Sequence, residues 1–211
     1  MSDILIGDHQ TCGISGRRMS DNICLLRDII EDARRRGIDL NVILADQNKA
    51  FDSVSHNYLF GLLKVLNLGD FMFKNIKRLY KRSHASIIVN KYRTDEINIE
   101  SGIKQGCALS MMLYVIAIEE LFLRVKNNKD IKGYVVNYER KVEVKITSYA
   151  DDVTVYTIHD KSSEEFFSEF NRWSEISGAS LNKDKTQYIK IRKNDTIPKY
   201  RRKSYEIAHS E

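Results

Sequence analysis

The chain has 211 residues, 42% of them hydrophobic and 30% charged, with one proline and ten glycines, which excludes collagen-like and low-complexity classes. Its length suits one compact domain with a core, or one domain with an appendage. The longest apolar run, Met111 to Ile118, is far too short to span a bilayer and no signal segment opens the chain, so we expect a soluble protein without membrane contact.

The cysteines indicate a reducing compartment. Cys12, Cys24 and Cys107 are odd in number and lack the spacing of metal ligands. We therefore expect reduced thiols in an intracellular protein that is not secreted.

Basic residues are concentrated in two blocks of a chain whose net charge is +5. The blocks span 74–93 and 183–203, and tyrosines are interleaved in both. Clustered cations with aromatic rings suit a phosphate backbone and exposed bases. A solvated charged face has the same composition, so charge alone leaves both interpretations open.

Hydrophobic periodicity predicts a mixed α and β chain after a loop over residues 1–20. Helices are expected over 21–37, 58–66, 71–81, 108–125 and 163–176. Strands are expected over 40–45, 141–147, 153–158 and 186–191, with a hairpin of 86–89 and 96–99 around a turn at Asn90-Lys91. This order predicts an α+β fold, a sheet with helices packed on one face.

Two adjacent aspartates, Asp151 and Asp152, stand between the two central predicted strands. Neighbouring carboxylates repel each other, so a chain gains little from such a pair unless a cation lies between them. Mg²⁺ takes oxygen ligands and is the usual cation for such a site. A solvated acidic turn is the alternative, and this stretch by itself does not decide.

A third carboxylate, Asp46, directly follows the predicted strand 40–45. A carboxylate at a strand end is easily brought beside the tip of a neighbouring strand pair. Three carboxylates from two such places would form a two-ion site of the type that supports phosphoryl transfer.

Five motifs follow one another over about residues 9–186. They are Cys12-Gly13-Ile14-Ser15-Gly16-Arg17-Arg18 with Asp21-Asn22, Asp46-Gln47-Asn48-Lys49-Ala50-Phe51-Asp52-Ser53-Val54-Ser55-His56, Ser101-Gly102-Ile103-Lys104-Gln105-Gly106-Cys107-Ala108-Leu109-Ser110, Tyr149-Ala150-Asp151-Asp152, and Ser177-Gly178-Ala179-Ser180-Leu181-Asn182-Lys183-Asp184-Lys185-Thr186. In this order and spacing they resemble the motifs of reverse transcriptases of non-LTR, LINE-type retrotransposons. The resemblance implies a polymerase palm, an antiparallel sheet with helices packed on one face, with a partial fingers segment.

The resemblance also implies a catalytic set. Asp46 and Asp151 would bind two catalytic Mg²⁺ ions, with Asp152 beside them. Lys185 would protonate the pyrophosphate leaving group, although by composition alone it is one lysine in a basic tail. The partners implied are an RNA template, a DNA primer and a dNTP.

Four further residues are implied to bind substrate. Phe51 would be the aromatic steric gate that excludes a nucleotide 2′-hydroxyl, and a core aromatic is the alternative. Gln105 and Gly106 would line the nucleotide pocket, where glycine lets the backbone approach closely. Arg17 or its neighbour Arg18 would contact phosphate, or else face solvent.

The chain departs from the family pattern in two ways. Met111 and Glu120 stand where prolines are usual, which removes a rigid turn and a helix kink. We also expect a truncated domain, with residual fingers or connection over about 1–37, the palm over about 38–193, and a basic tail over 194–211 leading to an absent thumb. Without the first fingers motifs, which bind the triphosphate, and a thumb, which holds the duplex, we expect this piece alone to extend primers poorly or not at all, and to bind Mg²⁺ weakly, if at all, without nucleic acid.

Two alternative functions remain open. One is a related palm polymerase of the group II intron maturase type, and the other is a non-catalytic nucleic-acid-binding remnant. For the main interpretation we expect the nucleus or a cytoplasmic ribonucleoprotein as the location.

Overall fold

A four-stranded antiparallel sheet is the centre of the computed structural model, which describes residues 6–81, 83–137 and 141–193. Its strands are β1 (Leu40–Ala45), β8 (Ile146–Tyr149), β9 (Asp152–Thr157) and β10 (Gln187–Ile191), in the order β10-β1-β9-β8. All four were predicted, and β1 lies between β9 and β10. The first central strand is nevertheless shorter than the predicted 141–147.

Six helices are described along the same ranges. They are α1 (Met19–Arg36), α2 (Ala50–Ser53), α3 (His56–Val65), α4 (Asp70–Tyr80), α5 (Ser110–Asn127) and α6 (Asp160–Ser177). Only the short α2 was not predicted. Helix α1 begins before the predicted Asp21 because the Asp21 carboxylate accepts the Arg18 backbone N–H at 3.0 Å and caps the first turn from within the helix. It ends at Gly37, whose φ is 61°, as the sequence indicated.

The shorter strands form three separate pairs. These are β2 (His84–Ala85) with β5 (Ile97–Asn98), β3 (Ile88–Val89) with β4 (Tyr92–Arg93), and β6 (Tyr134–Asn137) with β7 (Lys141–Val144). The predicted turn at Asn90-Lys91 is confirmed, but the expected pairing of 86–89 with 96–99 is wrong. Residues 97–98 instead pair with β2, the strand that precedes β3 in the chain.

The predicted strand 141–147 is two strands, and Lys145 separates them. Its ammonium donates to the carbonyls of Lys126 and Asn128 at 3.0 and 2.8 Å. These carbonyls belong to the end of α5, where a helix accepts cations readily. The strand therefore leaves the β6 pair at this point and enters the central sheet.

A separate hydrophobic core lies on each face of the sheet. Leu40 and Val42 of β1 belong to the core that contains Ile29 of α1, whereas Ile43 and Ala45 belong to the core on the opposite face. Helices α5 and α6 cover that second side, so the palm helices share one face as predicted. Helix α1, from the part assigned to residual fingers, closes the other face.

Helix α5 is buried on most sides, as its apolar sequence predicted. Its buried Glu119 has polar partners, since the carboxylate accepts the Gly7 N–H at 3.0 Å and lies 3.1 Å from His9 Nε2. Even so, none of the helices in the described ranges combines the length and apolar character needed to cross a bilayer.

Asp32 fastens α1 to β6, and this contact predicts an acid-sensitive contribution to stability. The carboxylate accepts hydrogen bonds from Arg35 at 2.5 Å, Tyr134 at 2.7 Å and Arg36 at 3.0 Å. The Arg35 and Tyr134 bonds in particular lower the pKa of Asp32 from 3.8 to about 2. A carboxyl group whose pKa is lowered by folding stabilises the fold at pH values above its pKa in the unfolded chain. This stabilisation is lost as the pH falls through its pKa in the folded protein.

We therefore expect Asp32→Asn to lower the free energy of unfolding at pH 7, and the difference from wild type to shrink between about pH 4 and pH 2. Urea denaturation at a series of pH values measures this. Asp28→Asn on the same helix is the matched control, because Asp28 forms only an exposed pair with Arg27. A pH-independent difference for Asp32→Asn would contradict the assignment.

Candidate active site

Three carboxylates meet at one end of the central sheet. The antiparallel register places Ala45 of β1 opposite Val153 of β9, so Asp46 and Asp152 lie side by side where these strands end. We call this end of the sheet the carboxylate edge. The tight turn from β8 to β9 adds Asp151. The structure thus brings together the acidic residues that stand 105 positions apart in sequence (151 − 46).

The neighbouring carboxylates disfavour the ionisation of Asp152. The pKa of Asp152 is raised, first by partial removal of water by the surrounding protein and then by Asp151 and Asp46. This holds although the outer side of Asp152 is exposed. No cation of the described residues offsets these effects on Asp152. Two like charges at one site raise a carboxyl pKa in this way.

The edge suits a cation that brings further ligands with it. In residues 6–81, 83–137 and 141–193, no three His, Cys, Asp or Glu side chains stand as a group able to hold a metal on their own. Mg²⁺ commonly takes one or two carboxylates and completes its shell with water and substrate phosphates. The mutual repulsion of the aspartates fits such an ion, whereas a closed structural metal site does not fit.

Tyr114 of α5 forms a wall of this site. It is 1% exposed, and its pKa is raised by burial and further by the charge of Asp151, while the Gln47 amide acts in the opposite direction. Neither the Tyr114 hydroxyl nor the buried Gln47 amide has a partner in hydrogen-bond geometry within the described part of the chain. Buried polar atoms without partners are rare and mark a place where water, an ion or a ligand can bind.

Phe51 stacks on this wall. Its ring lies 4.3 Å from the Tyr114 ring, centroid to centroid, at 23° between planes. The carbonyl of Phe51 accepts the Ile103 N–H at 2.7 Å, so the residue is held between the end of β1 and the loop 101–106. It is half-buried, with one face on Tyr114. The position is near the acidic edge, and the steric-gate role stays a prediction.

Gln105 and Gly106 lie on the same loop, which runs beside the segment that follows β1. The Gln105 amide donates to the Asp52 carboxylate at 3.1 Å, and both side chains are exposed. Gly106 has a φ of +82° and open space where a Cβ would stand. The loop is therefore free on its outer side, and its contact with a nucleotide stays a prediction.

Lys185 stands next to the residue that holds Asp46. The Asp46 N–H donates to Thr186 Oγ1 at 3.2 Å, and the Asp46 carbonyl accepts the Asn182 N–H at 2.8 Å. These bonds fix the loop 177–186 against the carboxylate edge. Lys185 itself is exposed. The general-acid role of Lys185 stays a prediction.

Arg17 is bound within the N-terminal loop. Its guanidinium donates to the carbonyls of Gly7 at 2.5 Å, Gln10 at 2.8 Å and Ile6 at 3.5 Å. These bonds give Arg17 a structural role in this loop, and phosphate contact stays a prediction. Arg18 is exposed at the start of α1.

Part of the predicted basic surface is committed to ion pairs. Lys190 and Arg192 lie 2.9 and 3.4 Å from Asp160, and together with Asn41 they lower the pKa of Asp160. Lys74 lies 3.3 Å from Asp70 on an exposed helix face. The rest of the second block, beyond residue 193, falls outside the described residues.

Sequence reasoning missed three polar residues that shape the site, namely Gln10, Gln47 and Tyr114. Gln47 was visible inside the Asp46 motif as an amide between charged neighbours. Tyr114 was visible as the one hydroxyl in an otherwise aliphatic stretch of α5. Gln10 carried no signal, because a polar residue in a predicted loop is ordinary.

Residues 6–205 match the family described as Reverse transcriptase (RNA-dependent DNA polymerase). The chain belongs to the reverse transcriptase family. Its relatives include the Transposon TX1 uncharacterized 149 kDa protein of Xenopus laevis, 35% identical over 71% of this chain and 11% of that protein. Another is a Pol polyprotein from the type-1 retrotransposable element R2 of Popillia japonica, 32% identical over 51% of this chain and 18% of that protein. It is thus a reverse transcriptase domain of the non-LTR, LINE type.

Solved structures support the same fold. Telomerase from Candida tropicalis aligns with a TM-score of 0.62 at 13% identity, over 86% of this chain and 30% of that one. Telomerase from Candida albicans aligns with a TM-score of 0.60 at 15% identity, over 88% of this chain and 32% of that one. The reverse transcriptase palm predicted from the motifs is confirmed. The chain spans between a tenth and a fifth of the length of the two retrotransposon relatives.

Gly178 lies so close to Ser53 that a side chain at this position should destabilise the protein. Gly178 ends α6 with a φ of +79°, and a Cβ there would lie 2.7 Å from the Ser53 carbonyl oxygen. We expect Gly178→Ala to destabilise the protein by about 1–3 kcal/mol and to loosen the loop 177–186. Denaturation and hydrogen exchange of that loop measure both effects.

Gly16→Ala is the matched control. Gly16 has the same φ of +79° but no atom within 4 Å of a Cβ. The Gly16→Ala variant has the cost of a positive φ without the steric clash. It should therefore destabilise the protein less than Gly178→Ala and leave the loop 177–186 unchanged. Equal effects of the two variants would show that Gly178 acts through its φ alone.

Proposed function

We propose that this chain is the palm of an RNA-directed DNA polymerase that adds deoxynucleotides to a primer 3′-hydroxyl on an RNA template. The observation that carries the proposal is the carboxylate edge, where the β1–β9 register sets Asp46 beside Asp152 and the turn adds Asp151. Membership of the reverse transcriptase family supports the same chemistry.

The carboxylates supply the charge that the reaction needs. In the proposal Asp46 and Asp151 hold two Mg²⁺ ions, and Asp152 completes the acidic edge. Two such ions stabilise the attacking and the leaving oxygen of an in-line displacement. The pKa of Asp152 is raised by burial and by the other two aspartates, so a bound cation would offset the repulsion among them.

The proposed step is a nucleotidyl transfer. The primer 3′-hydroxyl gives its proton to solvent water, and its oxygen attacks the α-phosphorus of the dNTP to form the O3′–Pα ester bond. The bond from Pα to the bridging oxygen of the β-phosphate breaks, and pyrophosphate leaves with the electron pair. In this proposal Lys185 donates a proton to the pyrophosphate. Catalysis of this type depends on position and charge neutralisation more than on covalent chemistry by the protein.

The remaining residues bind the nucleotide in the proposal. Phe51, fixed by its stack on Tyr114, closes the space that a 2′-hydroxyl would occupy. Gln105 and Gly106 line the nucleotide pocket from the exposed loop, and Arg17 contacts phosphate. The RNA template, DNA primer and dNTP are proposed as partners, and the cell nucleus or a cytoplasmic ribonucleoprotein as the location.

Asp151→Asn tests the metal role. Under single-turnover conditions with protein in excess over an annealed DNA primer on RNA, weak duplex binding is overcome by concentration, so the chemical step is measured. We expect slow, template-directed addition by wild type with Mg²⁺, and a loss of about 10²-fold or more for Asp151→Asn.

The control is Asp95→Asn, an equally isosteric change at an exposed position of the segment before β5. It should extend the primer like wild type. Extension that survives Asp151→Asn, or a wild-type protein that never extends at saturating concentration, would contradict the proposed function.

Phe51→Ala tests the steric gate. Removal of the ring opens the space beside Tyr114, so ribonucleotides should be accepted about 10- to 100-fold more readily relative to deoxynucleotides. The ratio of rGTP to dGTP incorporation measures this. Phe167→Ala removes a partly buried core ring on α6 and should leave the ratio unchanged. An unchanged ratio for Phe51→Ala would favour the core-aromatic interpretation.

A further inference from the structure

The turn that carries Asp151 has an unfavourable backbone. It is a two-residue turn between Tyr149 and Asp152, and its first residue, Ala150, has a φ of +55°. Turns of this pattern normally place glycine there, since a Cβ disfavours the left-handed region. Such a conformation persists only where the surrounding structure enforces it. Something must therefore hold Ala150 in place.

Gln10 contacts both backbone polar groups of Ala150. Its side-chain oxygen accepts the Ala150 N–H at 3.0 Å, and its amide nitrogen donates to the Ala150 carbonyl at 3.4 Å. The same oxygen accepts the Cys12 N–H at 2.9 Å. Gln10 is 0% exposed, so water does not compete for these bonds. One amide thus pairs with the turn as a neighbouring strand would.

The segment around Gln10 continues the sheet at its β8 edge. The Ser148 N–H donates to the His9 carbonyl at 2.7 Å, and the Thr11 N–H donates to the Ser148 carbonyl at 3.0 Å. Gln10 and Ser148 form a parallel bridge. These backbone bonds direct the Gln10 side chain along the strand toward the turn.

Three further elements anchor this segment. The buried His9 ring meets Glu119 of α5 at 3.1 Å. The Arg17 guanidinium donates to the Gln10 carbonyl at 2.8 Å. The Asn22 amide of α1 donates to Thr11 Oγ1 and to the Ser148 carbonyl, both at 2.9 Å, and so ties this segment to β8. Gln10 is therefore a rigid support, not a loop residue that happens to lie near the turn.

We propose that Gln10 is a positioning residue that holds the Ala150-Asp151 turn in its left-handed conformation and thereby places Asp151 and Asp152 for catalysis. Its catalytic consequence rests on the proposed function. An amide suits both contacts because its oxygen accepts and its nitrogen donates at the end of one long side chain. Glutamate lacks the donor when ionised, and methionine of similar shape has no donor and only a weakly accepting sulfur.

Gln10→Met is the main variant. We expect faster hydrogen exchange of the Ala150 and Asp151 amides, and a loss of about 10- to 100-fold in the single-turnover extension rate, since small displacements of reacting groups have effects of this size. Thr157→Val is the matched control. It removes a buried hydroxyl bond of 2.7 Å to Ser163 from the other end of β9 and should change neither readout.

The decisive test is the double variant Gln10→Met with Ala150→Gly. Glycine adopts a positive φ without the Cβ penalty, so it removes the need for the support. We expect Ala150→Gly to restore most of the lost extension rate in the Gln10→Met background and to change little on its own. A residue that acts only through general stability would show no such coupling, and thermal unfolding of each variant checks that the fold persists.

The outcomes separate this inference from the proposed function. Normal turn exchange in Gln10→Met, normal extension despite faster exchange, or lack of rescue by glycine would each overturn the role of Gln10. Absence of extension by the wild-type chain, with Asp151→Asn indistinguishable from it, would overturn the proposed function and the catalytic consequence with it. Hydrogen exchange would in that case still report whether Gln10 supports the turn.

Discussion

The pairing of β1 with β9 is the constraint on which the site depends. Ala45 lies opposite Val153, and this register alone sets Asp46 beside Asp152 at the sheet edge. A slip by one residue would turn every side chain of β1 to the other face and exchange the two cores. Burial of Ile43 on one face and Val42 on the other makes that slip costly. The hydrophobic cores thereby determine where the carboxylates stand.

The acidic edge is unfavourable by itself, and its neighbours compensate with backbone bonds instead of charge. Asp152 has a raised pKa because burial and two like charges act on it together. The loop 177–186 holds the Asp46 backbone through Thr186 and Asn182. On the opposite side Gln10 pairs with Ala150. Main-chain support leaves the carboxylate oxygens available for a cation, which an ion pair with lysine or arginine would not.

Two departures from the family pattern are accommodated locally. Helix α5 runs unbroken through Glu120, where a proline is usual, and Glu120 accepts two hydrogen bonds from Arg124 at 3.0 and 2.6 Å. Met111, at the other usual proline, lies 3.3 Å from the Cys12 sulfur, sulfur to sulfur. Each residue thus has a local partner in this structure.

The sequence by itself determined five of the six described helices, the presence of the four central strands, the family and the acidic residues, because local periodicity and motif order are properties of the chain alone. It did not reveal the pairing of β2 with β5, the break at Lys145 or the β6 strand, since each depends on contacts between distant residues. The roles of Tyr114 and Gln10 also required the tertiary structure. A buried tyrosine and a loop glutamine are ordinary in sequence, and only the packing of α5 and of the segment beside β8 brings them to the turn that carries Asp151.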